Sequence, residues 1–229
     1  MPAHLRVSLP DRPGSLAALS RALADAGANV CSVVVIDRDQ GRAVDDLLLE
    51  WPYERSFETV VDVVAACPGT RLHGLRHVAA LSPGSDCEAM RQVTTAPERA
   101  VETLVDALPH LLLADWAAVV DRRTPREAAY GTIGCPHPVP ALLGTLDRPR
   151  SLSVGEQLAL APVRASSLLV LASRYAGPAF TRSEVDRLAG LVDVTTAIAR
   201  AAYRPAVAAA PAAVTAHLLD GAPPRRVAS

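Results

Sequence analysis

The chain has 229 residues, enough for two domains that each bury a core. Hydrophobic residues make up 50% and aromatic residues 3%, which excludes a mainly disordered chain and leaves Leu, Val and Ala to build the cores. A formal net charge of −1, with no dense basic cluster, excludes a bulk field that would hold the chain on nucleic acid or an anionic membrane.

Residues 5–9 form a short extended run that Pro10 ends. Asp11, Arg12, Pro13 and Gly14 make a turn, after which Leu16, Leu19, Leu23 and Ala26 repeat on one helical face. Gly27 stops that helix, as a residue that tolerates positive φ does. Residues 29–36 are β-branched and apolar, fit for a strand. The polar loop 37–42 reads as a hairpin, and residues 44–50 return as the next strand. Phe57, Val60, Val61 and Val64 mark a second helix closed by Pro68 and Gly69, and residues 70–81 supply a fourth strand. The order is βαββαβ, a ferredoxin-like α+β sandwich with two helices on one face of an antiparallel sheet. Its bounds are 1–82.

Residues 83–95 read as a linker with a short helical turn. A second, α/β domain spans 96–203: a helix through Val101, Leu104, Val105 and Leu108, then strands at 111–120, 127–133, 157–162 and 167–173. The stretch 122–155 is otherwise irregular. A capping box, Thr181 with Glu184, opens a last helix through Val185, Leu188, Leu191, Val192, Thr195 and Ile198. From 204 to 229 the chain is Ala/Pro-rich and reads as a disordered tail. No apolar run approaches the length of a membrane span, so none is expected.

The chemistry-bearing residues exclude more than they offer. The chain contains no lysine. That removes Walker A nucleotide sites and pyridoxal-phosphate enzymes, each of which needs one. The four cysteines, Cys31, Cys67, Cys87 and Cys135, form no C-x-x-C pair and read as reduced cytoplasmic thiols. Cys135 and His137 flank a proline in an extended loop, where neighbouring side chains point apart, so a nucleophile–base pair is not expected. His73 and His77 on one strand stand ~13 Å apart, too far to hold one ion. Asp45 and Asp46 alternate faces, with one toward the solvent side of the hairpin, which argues against paired acid/base chemistry. Glu156, Arg148 and Arg150 read as solvated loop residues. No cofactor is implied, and the chain reads as a non-enzyme.

The segment from Leu9 through Asp11, Arg12, Pro13, Gly14, Ser15, Leu16 and Ala17, followed by Gly27, Ala28, Asn29 and Val30, resembles the opening of an ACT domain. That resemblance implies allosteric binding of an amino acid or similar small metabolite, usually at an interface between paired domains, and so a homodimer. The implied ligand residues are Asp11, Arg12, Pro13, Gly14, Ser15 and Asn29. Gly14 lets the backbone approach a ligand and presents amides at a helix start, where a carboxylate is favoured. Asp11 can accept from an ammonium, and Asn29, taken to lie against this turn, offers both a donor and an acceptor. Each also has a local reading: Asp11 ordering the turn, Gly14 opening the helix, Asn29 bonding nearby backbone. Leu9 stands near the place where some members carry histidine, which favours an apolar ligand over a serine-like one, or pairing without ligand. The run from Tyr175 through Phe180 and Glu184 into an apolar helix resembles the end of a GAF domain. That implies a second small-molecule or pairing module without a transferable site motif.

Overall fold

The computed structural model describes residues 1–78, 85–140, 147–175 and 177–202, so the expected tail lies outside the described residues. The chain divides into two compact units, Met1–Ser82 with Ala176–Ser183, and Pro83–Tyr175 with Glu184–Ser229.

The first unit runs β1 (Pro2–Pro10), α1 (Ser15–Asp25), β2 (Asn29–Asp39), β3 (Arg42–Glu50), α2 (Phe57–Ala66) and β4 (Arg71–His77). Its four strands form one antiparallel sheet in the order β2-β3-β1-β4, the sandwich expected from the periodicity. Strand β1 is central, and alternation along it sorts two chemistries. Ala3, Leu5, Val7 and Leu9 join Leu19 and Leu23 of α1 and Val60 and Val64 of α2 in one core. His4, Arg6 and Ser8 point to the opposite face and are buried as well.

That opposite face holds a buried ion pair. Arg6 grips Asp46 of β3 with two parallel bonds, Nε to Oδ1 at 2.5 Å and Nη2 to Oδ2 at 2.6 Å. His4 Nε2 lies 2.9 Å from the same Oδ1, and Arg6 Nη1 donates to Ala179 O at 3.0 Å. The segment carrying Ala179 passes so close that a Cβ on Gly74 would lie 2.5 Å from Pro178 Cδ. The expectation that Asp45 or Asp46 faces solvent is therefore corrected: they are 3% and 6% exposed. The apolar character of the hairpin was legible, but the cover over its second face comes from residues more than a hundred positions away.

The second unit runs α3 (Asp86–Thr95), a 3-10 turn (Pro97–Arg99), α4 (Ala100–Leu111), β5 (Trp116–Asp121), β6 (Ala128–Gly131), β7 (Arg150–Ser153), β8 (Gln157–Pro162), β9 (Leu168–Arg174) and α5 (Arg182–Ala202). Its five strands form an antiparallel sheet in the order β6-β5-β9-β8-β7. The linker expected at 83–95 is largely helix. Ser85 accepts from the Glu88 amide at 3.4 Å, and acids fill the first turn. Only Ala89 and Val93 of this helix are buried, too small a stripe for periodicity to reveal. The strand expected from 111 starts instead at Trp116, because Leu108, Leu111 and Leu112 complete the buried stripe of α4 and Leu113 leaves it at φ 48°. Arg174, fully buried, closes this corner: it donates to Leu112 O at 2.6 Å and to Glu184 Oε1 at 2.5 Å.

The Asp46 ion pair sets an acid limit on the first unit. Burial alone would raise the Asp46 carboxyl, but the hydrogen bonds and charges of Arg6 and His4 hold it well below the usual carboxylate range. A group depressed by folding contributes stability above its unfolded pKa and loses it as pH falls. Unfolding titrations should show stability falling below about pH 4. Asp46→Ala, which strands a buried guanidinium, should cost about 3–5 kcal/mol at neutral pH.

Candidate functional site

The turn at residues 11–15 is built from the end of β1. The Asp11 amide donates to Gly41 O at 2.8 Å, which ties the turn to the β2–β3 hairpin, and the Ser15 amide donates to Arg12 O at 3.3 Å. Gly14 caps α1 at φ 90°, ψ −17°, with no side-chain cap. A Cβ there would meet nothing within 4 Å, so open space lies against this backbone. Glycine is placed here by its φ rather than by crowding. Asp11, Arg12, Pro13 and Gly14 are exposed and Ser15 is half-buried. The structure thus brings five of the six expected ligand residues together around the start of α1.

Asn29 is not among them. It is exposed, pairs with Glu50 on β3, and sends Nδ2 toward Cys31 Sγ at 3.8 Å. Pro10, at the turn, pairs with Arg42 on the same strand. Glu50 and Arg42 are eight positions apart, about 26 Å along an extended strand. The expectation that Asn29 lies against the turn within one chain is therefore corrected. Helix α1 runs back along the sheet before β2 begins, so its two ends open on opposite ends of the sheet.

Strand β2 is an edge strand, and Val33, Val34 and Val35 on it are 38%, 42% and 45% exposed. An unpaired edge carrying three adjacent valines is the kind of surface that soluble proteins usually blunt or cover.

Asp45 went unnoticed as a site residue in the sequence. It lies on β3 between Val7 of β1 and Val35 of β2, and shares parity with Leu47 and Leu49, so it points to the helix-covered face. Its Oδ1 is buried without a hydrogen-bond partner. Burial raises its carboxyl above the usual range; Arg38 opposes the shift, and the charges of Asp11 and Asp46 add to it. A carboxylate next to an aspartate in a hairpin looks solvated in sequence, and only the register shows which face it takes.

The second unit carries a separate polar cluster. Trp116 Nε1 donates to Glu156 Oε2 at 3.0 Å, and the Ser173 hydroxyl donates to the same oxygen. The Tyr175 hydroxyl donates to Gly134 O. Glu156 is therefore anchored, not a free solvated loop residue. Cys135 sends its thiol toward Pro136 O at 3.7 Å, and burial, followed by the charge of Glu156, pushes that thiol up. That opposes the thiolate a nucleophile needs. Of the two strand histidines, His77 packs edge-on against Phe57 at 4.2 Å between ring centroids. Among the described residues, no group of three or more His, Cys, Asp or Glu is placed to hold a metal, and no helix is long and apolar enough to cross a membrane.

With this geometry in place, the comparisons define the class. Residues 3–50 match the family described as ACT domain, which covers β1, α1, β2 and β3 and hence the turn, Asn29 and Asp45. The protein is thus an α+β chain with an N-terminal ACT domain and a second domain built on its own antiparallel sheet. The sequence matches no curated protein. Among solved structures, a formyltetrahydrofolate deformylase from Pseudomonas putida KT2440 is 15% identical, with 45% of this chain and 39% of that chain covered and a TM-score of 0.29. An unknown protein from Galdieria sulphuraria is 14% identical, with 86% of this chain and 90% of that chain covered and a TM-score of 0.31. The chain spans about two fifths of the deformylase (39%), and at these scores neither likeness bears on function.

Glu156 gives this subsection its test. Glu156→Ala leaves two buried donors, Trp116 Nε1 and the Ser173 hydroxyl, without their acceptor. Urea denaturation should show a loss of about 1–3 kcal/mol, with a changed tryptophan emission in the native state.

Proposed function

We propose that this protein is a ligand-responsive regulator, not an enzyme, whose ACT domain binds a small amino-acid-like metabolite at an interface between two copies. The observation that carries the reading is the open, positive-φ turn at Gly14 at the start of α1, within the residues that match the ACT family. Backbone amides at a helix start favour a ligand carboxylate.

The displaced Asn29 supports the pairing. A two-fold axis through the middle of β2, near Val34, sets one copy's position 29 opposite the other's position 39. Position 39 pairs with Arg42, at the sheet end that carries the turn. Antiparallel addition of two β2 edges thus brings Asn29 of one copy to the turn of the other and covers the exposed valines. The site is then completed only by the second copy, and ligand occupancy shifts the pairing as far as it binds one state better.

The second unit reads as a GAF-like module. Its single antiparallel sheet, with helices at both ends of the chain segment, supports that reading, as it does a role in sensing or pairing. The widely spaced cysteines remain consistent with a cytoplasmic protein.

Val34→Glu, a charge in the middle of the pairing edge, should convert the protein to monomer in sedimentation velocity and abolish stabilisation by any of the twenty L-amino acids. Asn29→Ala should leave the unliganded melting temperature unchanged and weaken binding about 3- to 10-fold, the worth of a lost hydrogen bond. A Val34→Glu monomer that binds as tightly as the parent overturns the interface reading.

A further inference from the structure

A carboxyl oxygen buried in a core with no hydrogen-bond partner is a standing cost to the fold. Asp45 is 3% exposed, its Oδ1 has no hydrogen-bond partner, and its lateral neighbours are Val7 and Val35. Asp46 beside it faces the other way and is fully engaged by Arg6. The fold therefore grips one acid of the pair with a bidentate cation, while the other feels Arg38 through charge alone and has an Oδ1 with no hydrogen-bond partner.

The placement of Asp45 gives that cost a purpose. Helix α1 touches both β1 and β2, so it crosses above β3, which lies between them. It starts at the sheet end where Asp11 is tied to Gly41, and Asp45 and Ala43 are the first helix-side residues of β3 from that end. The uncapped first turn of α1, with open space at Gly14, and the Asp45 carboxyl with its unbonded Oδ1 thus occupy the same end and the same face of the sheet. Val35, exposed on the adjacent edge strand, gives that corner an apolar wall.

We infer that Asp45 is the ammonium-recognising residue of the ligand site, so that the site takes a zwitterion: an α-amino acid with its carboxylate on the first-turn amides of α1 that follow Gly14 and its ammonium on Asp45. This rests on the ligand reading above. It assigns to the inner strand β3 a role that the turn and Asn29 do not cover, and it selects free α-amino acids over their 2-hydroxy and 2-oxo counterparts.

The test uses the full chain. Melting temperatures are measured against each of the twenty L-amino acids, and the responding one is titrated calorimetrically alongside its 2-hydroxy analogue, for the parent and for Asp45→Asn. Asp45→Asn should melt higher than the parent without ligand, since it removes the buried acid. It should bind the amino acid about 10- to 100-fold more weakly. The hydroxy analogue should bind the parent weakly and be little affected by the substitution. Asp45→Asn binding within about twofold of the parent, or losing both ligands equally, overturns the role of Asp45 and leaves the ligand site standing. A parent that no amino acid stabilises overturns this inference together with the reading beneath it.

Discussion

Everything in the first unit depends on β1 having no solvent side. A central strand of an α+β sandwich normally alternates between a core face and a wet face. Here the apolar set, Ala3, Leu5, Val7 and Leu9, meets the helices, while His4, Arg6 and Ser8 are buried on the other face. Burying a guanidinium without an acid is prohibitive, so the bidentate Arg6–Asp46 pair is a condition of closing that face rather than an addition to it. Arg42 extends the same logic one pair along, donating to Ser8 O at 2.7 Å and to Gly69 O at 2.8 Å. The hairpin that carries the candidate site is thereby fixed to the centre of the sheet.

The sequence spoke clearly where one face of an element is apolar and the stripe is long. Strands β1, β2 and β3 and helices α1 and α2 were all expected, and the ACT motif at residues 9–17 and 27–30 lies inside the family match at residues 3–50. It was silent where the reason for a residue's burial lies far along the chain. Arg6 and Asp46 are forty positions apart, and Arg6 reaches Ala179 across 173. In the second unit the same limit hid β7, whose four residues alternate between half-buried and exposed, and the anchoring of Glu156 by Trp116 forty positions earlier.

The candidate site was legible as a motif and illegible as a geometry. Residues 11–15 are contiguous, so their turn could be read directly. Asn29 follows the helix, and the length of α1 decides where it lands: eleven residues carry the chain about 16 Å back along the sheet. Residues at the two ends of a helix cannot converge within one copy, so the proposed site depends on the pairing that the resemblance implies.

Lack of a cap distinguishes nothing by itself, since α2 also starts without a side-chain cap at Ser56. What sets the start of α1 apart is coincidence. An uncapped helix start, a backbone glycine facing open space and a carboxyl oxygen with no hydrogen-bond partner fall on one end of one sheet, beside an unpaired strand edge. Each is a deficit the fold tolerates, and each is of a kind that a ligand or a second copy supplies: an anion for the amides, a cation for the acid, a strand for the edge. A fold selected only for stability has a simple remedy for the buried acid, Asn at position 45. The survival of these deficits together, beside the closely paired Arg6 and Asp46, is the physical argument for the proposed site.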